Sequence, residues 1–191
     1  MARKAQAANN LVSRDDCVLI IIDVQEKLMP VISERQGVTQ NVIRLAHFAN
    51  MAGIPVVITE QEKLGSTLPE VKQELAATRP VSKVHFNCFS CKEFQDEVSR
   101  IGRHTLILTG VEAHICVLQT ALHGLGKYEV HVVGDAVSSR APDNRKTALE
   151  RMQQCGATIT STEMFIYEIL QKAGTDEFRA TLPLVKQTAN S

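Results

Sequence analysis

Short apolar runs rich in β-branched residues recur along the chain, separated by longer stretches whose apolar positions follow helical spacing. That alternation marks βαβ units wrapped around a parallel sheet. The first run, Cys17 to Val24, is apolar at every position from Val18 to Ile22, as a strand covered on both faces must be. It is expected at the centre of the sheet. Val42, Leu45, Ala46 and Ala49 mark one face of a helix over Thr39 to Met51, which Gly53 stops before Pro55. Pro55 to Glu60 forms the second strand. A short helix from Pro69 to Thr78 must end by Arg79, because the residue before Pro80 is pushed out of the α region. Val81 to Val84 is the third strand.

The second half repeats the pattern. Cys91 to Ile101 is helical and Gly102 caps it, then Thr105 to Thr109 gives a fourth strand ending at Gly110. A helix over Ala113 to Leu125 leads to a fifth strand, Glu129 to Gly134. Asp143 is expected as the N-cap of a helix reaching Gln154, with Gly156 as its stop. Ala157 to Thr160 is the sixth strand. A helix from near Thr162 carries Phe165, Ile166, Ile169 and Leu170, and one more short helical stretch follows Thr175. No repeat, low-complexity tract or linker interrupts the chain. The pattern predicts one α/β domain over residues 1–191, a three-layer doubly wound sandwich with a six-stranded parallel sheet in the order 3-2-1-4-5-6. Ligands bind such sheets at the carboxyl ends of the strands, where the order reverses. Here that crevice lies between strands one and four.

Composition narrows the possible partners. Lys and Arg number 21 and Asp and Glu 21, so no excess of positive charge points to a phosphate backbone. Trp is absent, and two Tyr and six Phe leave little for base-stacking platforms or membrane-interface belts. The run from Val18 to Ile22 is far too short to span a bilayer. A small-molecule ligand is therefore expected, with no membrane insertion and no nucleic-acid partner. Five cysteines, an odd number, and no apolar signal segment near Met1 predict free thiols in a reducing compartment. Cytosol is the expected location. Residues 1–14 hold Arg3, Lys4 and Arg14 with no acid, a composition that fits a flexible arm or, as the alternative, a mitochondrial transit segment.

Two side chains should face the crevice. Asp23 ends a wholly apolar strand, where burial disfavours the charged carboxylate unless it is paired or works on a proton. A turn cap after Val24 would use the same residue. Cys116 falls in the first turn of the helix after strand four, where the helix dipole and unpaired amides favour the thiolate. A small buried apolar residue would fit the position equally. An adjacent carboxylate could accept the thiol proton, and an ammonium such as Lys83 could hold the resulting charges. Histidine offers no substitute base. His114 is two residues from Cys116 and points elsewhere on a helix, while His123 shares its face but lies about 10 Å along the axis. Cys88 and Cys91 have zinc-like spacing, but no second pair completes a ligand set, so a structural thiol pair is expected.

Ile22-Asp23-Val24-Gln25, Ser82-Lys83, Gly110 through Val117, and Gly134 through Arg140 together resemble the isochorismatase-like superfamily of cysteine hydrolases, related to nicotinamidases. Within it the chain looks most like the isochorismatase domain-containing proteins, partly through Thr59-Glu60-Gln61 and Gly65-Ser66-Thr67. The resemblance implies Asp23 as general base, Lys83 as electrostatic partner and Cys116 as nucleophile. It also implies a cis peptide between Val111 and Glu112, with the amides of Glu112 and Cys116 as an oxyanion hole. Gln25, Leu28, Gln61, Phe86 and His114 are expected to line the substrate pocket. Metal-binding nicotinamidases carry an Asp and histidines after the second strand, where this chain has Glu60, Gln61, Glu62 and Lys63. No catalytic metal and no cofactor are therefore expected. True isochorismatases cleave a vinyl ether without a cysteine nucleophile, so Cys116 points instead to an amide, carbamoyl or related acyl substrate. Relatives commonly form homo-oligomers, so a scaffolding role through the helix from Glu163 to Gln171 and the tail from Thr175 is the competing expectation, and a nuclease or nucleic-acid binder on this scaffold is a third, against which the balanced charge and few aromatics weigh.

Overall fold

Continuous burial of the first apolar run sets the architecture. In the computed structural model, which describes residues 11–186, β1 (Cys17–Ile22) is buried at all six positions. It pairs in parallel with β2 (Val56–Gln61) on one side and β4 (Thr105–Val111) on the other. β3 (Val81–Lys83) adds to β2, β5 (Glu129–Ser138) to β4, and β6 (Thr158–Thr160) to β5. The order is β3-β2-β1-β4-β5-β6, the expected doubly wound sheet. Alternate β1 side chains feed two cores. Leu19 and Ile21 pack with α1 (Arg35–Ala52) and α6 (Thr162–Leu170). Val18, Ile20 and Ile22 pack with α3 (Lys92–Ile101), α4 (Leu118–Gly124) and α5 (Pro142–Gln154). Each fully buried Ile or Leu contributes about 1.5–3 kcal/mol, so the central strand anchors both layers. Two further helices are α2 (Pro69–Glu74) and α7 (Asp176–Lys186).

Several boundaries differ from expectation, each for a local reason. β1 stops at Ile22, because Asp23 takes a left-handed conformation with φ 53°, which Asp tolerates better than β-branched residues do. α1 starts at Arg35 rather than Thr39, since Arg35, Gln36 and Gly37 are exposed and carry no apolar signal ahead of buried Val38. α2 closes at Glu74, with the Leu75 amide turning back to the Lys72 carbonyl. β5 does not stop at Gly134 but runs on to Ser138 through a bulge opposite β4. Arg145 holds this irregular stretch by donating to the Gly134 and Val137 carbonyls. Ala141, not Asp143, is the N-cap of α5, and Pro142 supplies its first turn. Of the arm expected over residues 1–14, residues 1–10 lie outside the described residues. The remainder is docked: Val12 is buried, its amide donates to Glu168 on α6, and Arg14 pairs with Glu177 on α7.

Candidate active site

The crevice between β1 and β4 gathers three side chains from three different strand ends. Asp23 follows β1, and its amide donates to the Thr59 carbonyl of β2. Lys83 ends β3, opposite Gln61 in the β2 ladder, and its long stem crosses beneath β2 to reach Asp23. The Lys83 Nζ to Asp23 Oδ2 distance is 2.7 Å, and both side chains are wholly buried. The same ammonium donates to Gln61 Oε1 at 2.9 Å and lies 3.9 Å from Cys116 Sγ. Asp23 Oδ1 accepts the Thr59 hydroxyl at 2.8 Å. Cys116 is 6% exposed. A separate surface cleft, lined by residues including Met29, Arg35 and Leu68, contains none of these groups.

Cys116 owes its position to an unusual strand-to-helix turn. Gly110 has φ 104°, and a Cβ built there would lie 2.0 Å from the Ile22 carbonyl oxygen, so only glycine lets β4 approach β1 this closely. The Val111–Glu112 peptide that follows is cis. Ala113–Val117 then forms one π-helical turn before α4, an irregularity frequent at functional sites. The Glu112 carbonyl accepts the Ile115 and Val117 amides. Its carboxylate is buried and bonded to the Arg140 amide and guanidinium. That contact ties the turn carrying Cys116 to the segment after β5.

Electrostatics oppose the preference for the thiolate expected from the helix start. Burial alone would lower the Lys83 pKa, but the Asp23 carboxylate, helped by the nearby thiols, holds it above the ordinary lysine value. Burial pushes the Cys116 thiol well up, the Asp23 charge adds to that, and Lys83 only partly offsets it. Cys116 is therefore held as the neutral thiol beside the Lys83 ammonium.

The residues expected to line a pocket have diverse surroundings. Gln25 is fully buried and bound to backbone: Nε2 donates to the Gln61 and Gly65 carbonyls, and Oε1 accepts the Gln61 amide. It clamps the loop with its polar atoms committed to backbone. Gln61 lies against Lys83 and donates through Nε2 to the Val84 carbonyl. Leu28 packs partly buried on the α1 core. Phe86 stands 53% exposed. His114 is half-buried, with Nδ1 on Ser139 Oγ at 2.9 Å and Nε2 3.4 Å from Asn144. His123 stacks on Phe89 instead. Cys88 and Cys91 do not act as a unit: the Cys88 amide donates to Thr120, whereas the Cys91 thiol meets the Ser82 carbonyl and Glu93. Among the described residues no group of three or more His, Cys, Asp or Glu is arranged to hold a metal ion. The Thr59 bond to Asp23 and the Glu112–Arg140 link are not readable in the sequence, although Thr59 shares a strand face with Gln61.

The profile of the Isochorismatase domain matches residues 17–164. The chain belongs to the isochorismatase family. A secreted isochorismatase effector of Phytophthora sojae is 38% identical over 182 residues, covering 89% of this chain and 84% of the relative. Mouse isochorismatase domain-containing protein 2A is 34% identical over 188 residues, covering 96% and 89%. Among solved structures, the MAR1 ribonuclease of Caenorhabditis elegans is 32% identical, with a TM-score of 0.88 over 95% of both chains. Family membership supports a hydrolase on an isochorismatase-like α/β fold.

Proposed function

We propose that this isochorismatase-family protein is a cysteine-dependent hydrolase of a small amide, carbamoyl or related acyl substrate. The observation that carries this reading is the buried cluster of Asp23, Lys83 and Cys116 at the strand-order reversal, joined through the Lys83 ammonium at 2.7 and 3.9 Å. Asp23 takes the Cys116 thiol proton as sulfur attacks the carbonyl carbon. The amides of Glu112 and Cys116 hold the developing oxyanion, and Lys83 keeps the Asp23 side chain aimed. Asp23 then returns the proton to the leaving amine, and water hydrolyses the thioester. Preorganised donors of this kind contribute about 3 kcal/mol in the transition state.

The names of two relatives suggest other reactions, which the site favours less. A vinyl-ether cleavage, as in true isochorismatases, leaves Cys116 without a role. A ribonuclease needs cations free to meet phosphates, yet Lys83 is buried and its ammonium is already engaged, and the chain's charges balance. An assembly role is the second reading. Leu11, Met164 and Tyr167, all exposed, line one shallow groove on α6, an apolar surface suited to a homo-oligomer. Light scattering tests it, and a strict monomer removes it. For the main reading, ammonia release is measured across a panel of small amides. Wild type should turn over at least one, with Cys116→Ala and Asp23→Asn inactive. Equal activity in Cys116→Ala would refute the mechanism.

A further inference from the structure

β2 ends with Thr59 and Gln61 two residues apart, so both side chains project from one face of the strand. Each meets one half of the buried ion pair. The Thr59 hydroxyl donates to Asp23 Oδ1 at 2.8 Å, and Gln61 Oε1 accepts from Lys83 Nζ at 2.9 Å. Both braces are themselves anchored. Thr59 is fully buried and its carbonyl takes the Asp23 amide. Gln61 gives its backbone amide to Gln25 Oε1 and its side-chain amide to the Val84 carbonyl.

We infer that Thr59 and Gln61 are positioning residues that fix how the proton is shared among Asp23, Lys83 and Cys116, an inference that rests on the cysteine-hydrolase reading above. A hydroxyl donating to a carboxylate favours its charged form, and an amide oxygen accepting from an ammonium favours that charge in turn. The two contacts therefore push toward one arrangement: charged Asp23, charged Lys83 and a thiol on Cys116. Asp23 can accept the thiol proton only if it is not already carrying one. Loss of the Thr59 bond lets the buried carboxylate take a proton from solvent more readily, which disarms it as a base. Loss of the Gln61 bond frees the Lys83 head to swing from Cys116. Three titratable groups face Asp23: Lys83 from β3, Cys116 from the π-helical turn, and Cys88 from the 3-10 turn Cys88–Ser90. Burial pushes the Cys88 thiol up to about 11, so it stays neutral across the working range.

The test follows the rate at which iodoacetamide labels Cys116, mapped by peptide mass across acidic and neutral pH. Wild type, Thr59→Val, Thr59→Ser, Gln61→Met and Asp23→Asn are compared, with near-ultraviolet circular dichroism confirming native packing. In Thr59→Val the acid limb of the rate profile should move up by about one pH unit, a tenfold loss on its acid side. Thr59→Ser, which keeps the hydroxyl, should restore the wild-type limb. Gln61→Met should lower the plateau without moving the limb. Wild-type profiles in Thr59→Val and Gln61→Met, with Asp23→Asn still silent, would overturn the brace and leave the hydrolase reading standing. A shifted limb in Thr59→Ser would also overturn it. If wild-type Cys116 reacts no faster than exposed Cys155 and Asp23→Asn changes nothing, the hydrolase reading fails and the brace falls with it.

Discussion

Replacing Lys83 with Met removes an ammonium from a place where the structure provides nothing to take over its charge. The side chains of Lys83 and Asp23 are both wholly buried and 2.7 Å apart. Methionine matches the lysine stem in bulk, so little packing is lost, but the carboxylate is left unpaired beside a second buried acceptor, Gln61 Oε1. Breaking such a pair by removing one partner costs about 3–5 kcal/mol, which corresponds to roughly 6–20 °C in Tm for a chain of this size. The pH dependence carries a sign. Lys83 has its pKa raised in the folded protein, so in wild type its contribution is complete below the unfolded lysine value and is lost as pH rises through the folded one. Lys83→Met loses that alkaline dependence and acquires one on the acid side: it should gain stability as pH falls, because protonating Asp23 removes the unpaired charge. Urea unfolding followed by far-ultraviolet circular dichroism at neutral and acidic pH measures both effects. Adding Asp23→Leu completes a double-mutant cycle and should recover most of the loss, since the pair is removed together. A loss under about 1 kcal/mol for Lys83→Met, or strict additivity in the cycle, would refute the reasoning.

Other expectations follow from the same geometry. Gly110→Ala should fail to yield native protein, because its Cβ would lie 2.0 Å from the Ile22 carbonyl oxygen in a left-handed backbone; soluble expression and circular dichroism check this, and a destabilisation below about 4 kcal/mol would contradict it. Buried His131 has its pKa lowered by burial, so it contributes stability above the unfolded histidine value that is lost as pH falls through the folded one. His131→Leu should flatten that slope in urea midpoints compared at neutral and mildly acidic pH. Cys155 is exposed while Cys17 and Cys88 are fully buried, with Cys17 pushed up to about 12. A bulky disulfide reagent should therefore titrate Cys155 first in native protein and reach Cys17 and Cys88 only after unfolding.

The fold was legible where the physics is local and repeated. Six β-branched runs with helical spacers allow few arrangements other than a doubly wound sheet, and a run apolar at every position from Val18 to Ile22 belongs at its centre. The site was legible where it depends on the same regularity, since Asp23 and Cys116 flank the predicted strand-order reversal. Their roles could be argued from the family resemblance but not from position. Long-range contacts were hidden. Gln25 looks like a crevice residue, three past the end of β1, and only the folded loop shows its amide spent on the Gln61 and Gly65 carbonyls. Gly134 resembles a strand stop because the bulge that carries β5 onward depends on Arg145, eleven residues later. The upward push on the Cys116 thiol was likewise hidden, because it arises from burial and from the Asp23 charge, 93 positions earlier in the chain.

The central claim is that Cys116 is an activated nucleophile, and intact-mass analysis after brief exposure to iodoacetamide tests it most directly. Wild type and Cys116→Ala are treated side by side at neutral pH. The account predicts one rapid adduct in wild type that is missing from Cys116→Ala, with slow labelling of Cys155 common to both. Rapid labelling that survives in Cys116→Ala, or only slow labelling in wild type, would contradict it.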